Sequence, residues 1–195
     1  MGDYRGRTNI LVLTSVLLIA AILVPPVDAL ENANLTARMV ECALLVVYSI
    51  SLGYGLERLR TGPEGKDRKK SWGWSLLRGL IIPGAVLAFW NFPPTFDATV
   101  LNVGLRYVAD LTYLGVGVLV GTTVTAMPRG FRAGALLLTF LSVGMMGSMM
   151  LVWQPGFYTV YSSSQNLDSN SFLMGMGALG VLISGSWTLK VLDVV

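Results

Sequence analysis

Apolar residues in this chain neither alternate nor recur on one face; they run on. Six stretches, at 9–27, 37–56, 72–90, 105–127, 133–153 and 169–189, carry very little charge. An α-helix of about 20 apolar residues spans the roughly 30 Å hydrocarbon core of a bilayer. In lipid every backbone N–H and C=O needs an internal partner, and a helix supplies one. The pattern therefore predicts an all-α protein: a polytopic membrane bundle of six transmembrane helices in one integral membrane domain over residues 1–195. The breaks between the runs fit this division. Gly62, Pro63 and Gly65 interrupt a charged stretch after the second span. Asn91-Phe92-Pro93-Pro94-Thr95-Phe96-Asp97 is expected to stop the third helix and form a stiff loop. Pro83 is expected to kink the third span near Ile82. The segment Gln154–Asp168 lacks lysine and arginine and is long for a tight turn; it reads as a cover for the outer surface or a contact for a partner.

Charge orients the spans. Twelve of the 14 basic residues fall at the N-terminus, after the second and fourth spans, or at the C-terminus. Only Arg38 and Arg106 lie toward the other side. Basic residues favour the cytoplasmic side, so both termini are expected there, in a multi-pass protein of the cell membrane. Trp72, Trp74, Phe131 and Trp187 mark the inner ends, and Trp90, Phe92, Tyr107, Trp153, Phe157 and Tyr158 the outer ends. Arg5, Arg7, an apolar run and Val27-Asp28-Ala29 would also suit a secretory signal; an uncleaved first helix is the expectation. The net charge of +3 follows from topology and does not call for nucleic acid. The basic loop 61–70 reads as a topogenic signal or as a patch for anionic lipid or a partner.

Composition narrows the chemistry. Charged residues are only 13% of the chain, and there is no histidine and a single cysteine, Cys42. Histidine-based acid–base catalysis, histidine-ligated metal and haem, and intrachain disulfides are thereby excluded. No phosphate-binding glycine loop, nucleophile elbow or zinc motif is present. No cofactor is expected. Ionisable residues inside spans are costly and often functional. Glu41, Arg106 and Asp110 fall at one depth near the outer ends, the last two at i, i+4 on one helical face with Asn102 a turn earlier. With Asn91 and Asp97 nearby, they make up an outer polar site candidate. The alternative is an Arg106–Asp110 pair that neutralises itself, with Glu41 capping or reaching the interface. Met145, Met146, Met149 and Met150, with Met174 and Met176, suit Cu(I) or packing equally; Met145 and Met149 are the weak metal candidates. Gly117-x-x-x-Gly121, Gly144-x-x-x-Ser148, Gly177 and Gly180 predict close helix packing. Asn34-Leu35-Thr36 fits a glycosylation acceptor.

Phe89-Trp90-Asn91-Phe92-Pro93-Pro94-Thr95-Phe96, Leu105-Arg106-Tyr107-Val108-Ala109-Asp110-Leu111, Gly115-Val116-Gly117-Val118-Leu119-Val120-Gly121 and Pro155-Gly156-Phe157-Tyr158 carry a resemblance. Together they resemble an archaeal family of small polytopic membrane proteins of unknown function, over roughly 35–185. That family is distantly similar to membrane proteins that assist copper insertion into cytochrome oxidase. Such relatives would be expected to carry histidine near the second span and after the Phe-Trp pair, where this chain has Glu41 and Asn91. The resemblance thus implies a scaffold without copper ligands. The expected function is an accessory, structural, non-enzymatic subunit of an archaeal oxidase-type complex. The hosts it suggests are a copper membrane monooxygenase such as ammonia monooxygenase, or a haem–copper oxidase. The expected partners are other integral membrane subunits and the lipid bilayer. The alternative is a stand-alone copper-handling or small-solute protein using the outer polar site.

Overall fold

A computed structural model describes residues 2–24, 34–61, 72–153 and 156–191. The described residues form helices and no strands. Helix α1 is Gly2–Ile22 and α2 is Leu35–Thr61. Helix α3 covers 72–91 as Trp72–Leu76, a π-helical turn Leu77–Ile81, and Ile82–Asn91. Then come α4 (Pro93–Leu101), α5 (Val103–Val124), α6 (Arg129–Val152) and α7 (Ser163–Val191). All but α4 are long and apolar enough to cross a membrane.

Local chemistry explains the boundaries. The Thr36 amide donates to Asn34 Oδ1 at 2.9 Å, and the Leu105 amide to Asn102 Oδ1 at 3.1 Å, so an asparagine caps both α2 and α5. Asn102 is thus a cap and not a member of the Arg106–Asp110 face. Ser162 and Gln165 form a reciprocal capping box on α7: the Gln165 amide donates to Ser162 Oγ and the Ser162 amide to Gln165 Oε1.

The third helix stops at Asn91, as the proline pair leads one to expect, but a helix and not a loop follows. Pro93 and Pro94 do not make a loop; they occupy the first turn of α4. A proline there loses no helical hydrogen bond and its fixed φ suits the helix start. Pro83 likewise sits in the first turn of Ile82–Asn91, directly after the π turn, where the Ile82 amide bonds back to the Leu77 carbonyl. A proline inside an α-helix clashes with the carbonyl four residues back. The wider turn accommodates Pro83 without ending α3.

The chain sorts into two compact units, residues 1–33 with 37–126, and residues 34–36 with 127–195. In the first, Cys42 and Leu45 of α2, Trp90 of α3 and Ala109 and Tyr113 of α5 form a buried cluster. Ile19 and Ile22 of α1 and Val86 and Leu87 of α3 pack around it. Helices α2 and α5 run parallel, since Arg38 meets Asp110 and, further on, Ser49 meets Gly117 and Gly53 meets Val118. Parallel contact is what alternating spans impose on the second and fourth of a series. The contact is backbone to backbone. A Cβ on Gly117 would lie 2.7 Å from the Val46 carbonyl oxygen, and one on Gly121 2.6 Å from the Tyr54 amide nitrogen. Gly117 and Gly121 therefore face a matching Ser49-x-x-x-Gly53 stripe on α2, the small-residue contact by which helices associate when hydrophobicity cannot drive them.

In the second unit α6 and α7 are antiparallel: Phe140 meets Gly180, Gly144 meets Gly177, and Gly147 meets Met174 and Asn170. A Cβ on Gly177 would fall 2.5 Å from Gly144 Cα. The segment before α7, expected as a long outer loop, is folded down. Phe157, Tyr158 and Tyr161 are buried. Fully buried Asn166 accepts from the Tyr158 amide at 3.2 Å and donates to the Tyr158 carbonyl at 3.1 Å. Large apolar side chains dominate the outward faces, as in Leu13, Leu111 and Leu182 at 61%, 66% and 71% exposure. A soluble monomer rarely exposes such continuous apolar surface.

A side chain at Gly121 has no room, whereas one at Gly175 meets nothing within 4 Å. Gly121→Leu is expected to lower the unfolding midpoint in detergent, by about 1–3 kcal/mol or more of stability. Gly175→Ala should leave the midpoint unchanged or raise it. Thermal unfolding followed by circular dichroism checks both.

Candidate functional site: a buried ion network

Polar residues inside the first unit converge on Arg38, one turn into α2. Its Nη1 donates to Glu41 Oε2 on the same helix. Its Nη2 donates to Asp110 Oδ1 on α5 at 2.9 Å. The guanidinium thus ties α2 to α5 at the end of the contact opposite the glycine stripe. Arg38 is 2% exposed, Glu41 5% and Asp110 4%. The i, i+3 spacing of Arg38 and Glu41 lets both project from one side of α2. The planar fork of arginine lets one side chain serve two carboxylates at once.

Arg106 is equally buried, one turn before Asp110 on α5, and interacts electrostatically with it. Two cationic and two acidic side chains therefore balance at one depth. A lone charge in an apolar interior is heavily penalised, and pairing with good hydrogen bonds offsets the penalty. Directly beside it lies the apolar cluster, in which Cys42 and Tyr113 are both buried. Cys42 is a buried packing residue there, not an accessible thiol.

Of the outer polar site expected from the sequence, Glu41 and Asp110 come together, but through Arg38. The i, i+4 spacing of Arg106 and Asp110 pointed to a pair within α5, and the two do interact; Asp110 also accepts a hydrogen bond from Arg38, 72 positions away. Glu41 does not reach outward. Asn91 donates from Nδ2 to the Leu87 carbonyl of its own helix at 2.8 Å. Asp97 is buried on α4, which is a helix and not the loop expected there. Among the described residues, no three His, Cys, Asp or Glu side chains form a group that could hold a metal ion. Met145 and Met149 are about half exposed on α6, while Met150 is fully buried. Met145 and Met149 line a shallow apolar depression with Val152 and Trp153.

Arg38 is the functional residue that sequence reasoning passed over. Its trace was present: the only two basic residues away from the expected cytoplasmic side, Arg38 and Arg106, share a depth with two acidic residues inside the apolar runs.

Removing one partner of a buried pair typically costs about 3–5 kcal/mol, because the other charge is left behind. Asp110→Asn and Arg38→Gln are each expected to destabilise strongly. The double variant should be less destabilised than the sum of the two. A double-mutant cycle on unfolding free energies measures that coupling, and additive effects would separate the two residues.

No curated protein and no solved structure matches this chain. A family model described as a protein of unknown function (DUF1404) matches residues 13–184. The match covers most of the chain, including the ion network and both glycine contacts, and the chain belongs to this family of unknown function.

Proposed function

We propose that this protein is a non-catalytic integral membrane subunit that packs against other membrane subunits and stabilises them. The observation that supports the reading is the closure of the ion network. The carboxylates of Glu41 and Asp110 face Arg38 inside the helix contact, buried from any solute. Groups so engaged hold helices together; they present neither a nucleophile with its base nor open ligand positions. What the protein offers outward is apolar helix surface.

The helices cross the cell membrane with both termini in the cytoplasm, by the basic asymmetry of the sequence. Distances along α2 support the placement. Arg38 and Arg58 are 20 residues apart, about 30 Å along a helix and close to the thickness of the hydrocarbon core. The ion network then lies near the outer boundary, and Arg58 near the inner one. The host is an archaeal oxidase-type complex, a copper membrane monooxygenase such as ammonia monooxygenase or a haem–copper oxidase; this part of the reading rests on the sequence resemblance alone.

Gentle extraction, native separation and mass spectrometry of co-migrating chains test the role. The expected outcome is co-migration with larger membrane subunits that carry the activity and the metal. A chain that migrates alone and binds Cu(I) stoichiometrically, with loss on joint Met145→Leu and Met149→Leu, would favour copper handling instead. Cysteines placed at Gly65 and Ser163, in a Cys42→Ala background, should label from opposite sides of the membrane. Labelling from one side would overturn the six-span topology.

A further inference from the structure

Buried serines in this protein are satisfied, and Ser75 is the exception among the described residues. Ser15, Ser49 and Ser184 each donate to the carbonyl four residues back. Ser169 pairs with the Thr36 hydroxyl at 2.8 Å. Ser75 is 4% exposed, and its Oγ has no hydrogen-bond partner among the described residues. A buried hydroxyl left so carries an uncompensated desolvation cost. Its neighbours are placed the other way round. Leu76 is only half-buried, and Trp74 is 59% exposed. The first segment of α3 thus turns a serine inward beside a leucine that is not.

The π turn Leu77–Ile81 follows this segment directly. The Ile82 amide bonds to the Leu77 carbonyl, so the turn takes in one residue more than an α turn. The later half of α3 is held, because Trp90 belongs to the buried cluster and Val86 and Leu87 pack around it. With that half fixed, closing the π turn to α-helix would rotate Trp72–Leu76 by about 100° and carry it about 1.5 Å along the axis. Each residue would take the direction its predecessor has now. Leu76 would replace Ser75 in the interior, Ser75 would face where Trp74 faces, and Trp74 would take the direction of exposed Gly73. Pro83 opposes the closure, since inside an α-helix its ring meets the carbonyl of Gly79. One register leaves a hydroxyl unsatisfied and a leucine half-exposed. The other presses a proline ring on a carbonyl. These costs are of the same order.

We infer that α3 is a two-register joint: its first segment, Trp72–Leu76, alternates between the π register, with Ser75 inward, and an α register, with Leu76 inward. The joint changes the face that α3 presents at this end of the first unit and leaves the buried cluster in place. Single π turns inside α-helices frequently stand at functional sites. A partner that binds one of the two faces selects one register. The inference rests neither on a host complex nor on the direction in which the chain crosses a membrane.

The test uses the full chain in detergent, labelled with fluorotryptophan and followed by fluorine NMR. The Trp74 signal is assigned by its loss in Trp74→Phe. Wild type should give two Trp74 signals, or one averaged signal where exchange is fast. Pro83→Ala removes the obstacle to the α register, and Leu76→Ser removes the gain from it. The two variants should therefore shift the Trp74 populations in opposite directions, each by about fivefold or more. A single Trp74 signal at one position in all three chains, or a shift in the same direction in both variants, would overturn the joint. Where Leu76→Ser does not fold, a thiol decides. Ser75→Cys in a Cys42→Ala background is buried in the π register and exposed in the α register. Adding Pro83→Ala should speed its reaction with a small maleimide by about tenfold. An unchanged rate would overturn the inference.

Discussion

A guanidinium inside an apolar helix bundle has to be answered. Arg38 cannot lose its proton at any ordinary pH, and once α2 is buried it cannot reach bulk water. Its two donors fix the rest: one holds Glu41 on its own helix, the other holds Asp110 on α5. That second bond sets the register of two helices that run parallel without being consecutive. With Arg38 level with Asp110, Ser49 and Gly53 fall opposite Gly117 and Val118, and the backbones can close to contact. A one-turn slip would put Leu45 or Gly53 opposite Gly117 in place of Ser49 and break the Arg38–Asp110 bond. Polar pairing here selects the arrangement, and close packing then stabilises it.

The same order of effects accounts for how the charges in the spans are used. Charges in spans ordinarily mark pathways or ligand sites. Here two arginines and two acidic residues at one depth balance among themselves, and Asn91 bonds back to its own helix. What remains for the surroundings is a largely apolar surface. On the proposed reading, such a protein contributes shape and helix faces to its neighbours.

Much of this was legible in the sequence, because long apolar runs have one solution in lipid. The six long helices cover the six runs, with ends shifted by a few residues where Asn34, Asn102 and Ser162 supply caps. The Gly117/Gly121 and Gly144/Gly177 contacts were legible as small-residue spacings. Their partners were not: the Ser49-x-x-x-Gly53 stripe is unremarkable until Gly117 faces it. Local pattern told only half at Pro93-Pro94, which does end α3 but starts α4 where a loop was expected, since the same ring that disrupts a helix interior suits its first turn. Spacing gave only part of the network at Arg106 and Asp110, which do interact electrostatically. An i, i+4 pair on one helix is visible in sequence, whereas a partner 72 residues away is set only by tertiary packing.

The central claim is that the Arg38–Glu41–Asp110 network holds helices and performs no chemistry. The most direct measurement replaces all three together by apolar residues of similar volume, Arg38→Met, Glu41→Leu and Asp110→Leu, and follows assembly of the variant with its native partners. Replacing a whole buried ion group is often neutral or stabilising, unlike removing one member. The account predicts a folded chain that assembles, and supports the activity of the assembly, as wild type does. A variant that folds and assembles normally but leaves the assembly inactive would contradict it and make the network part of a reaction or transport path.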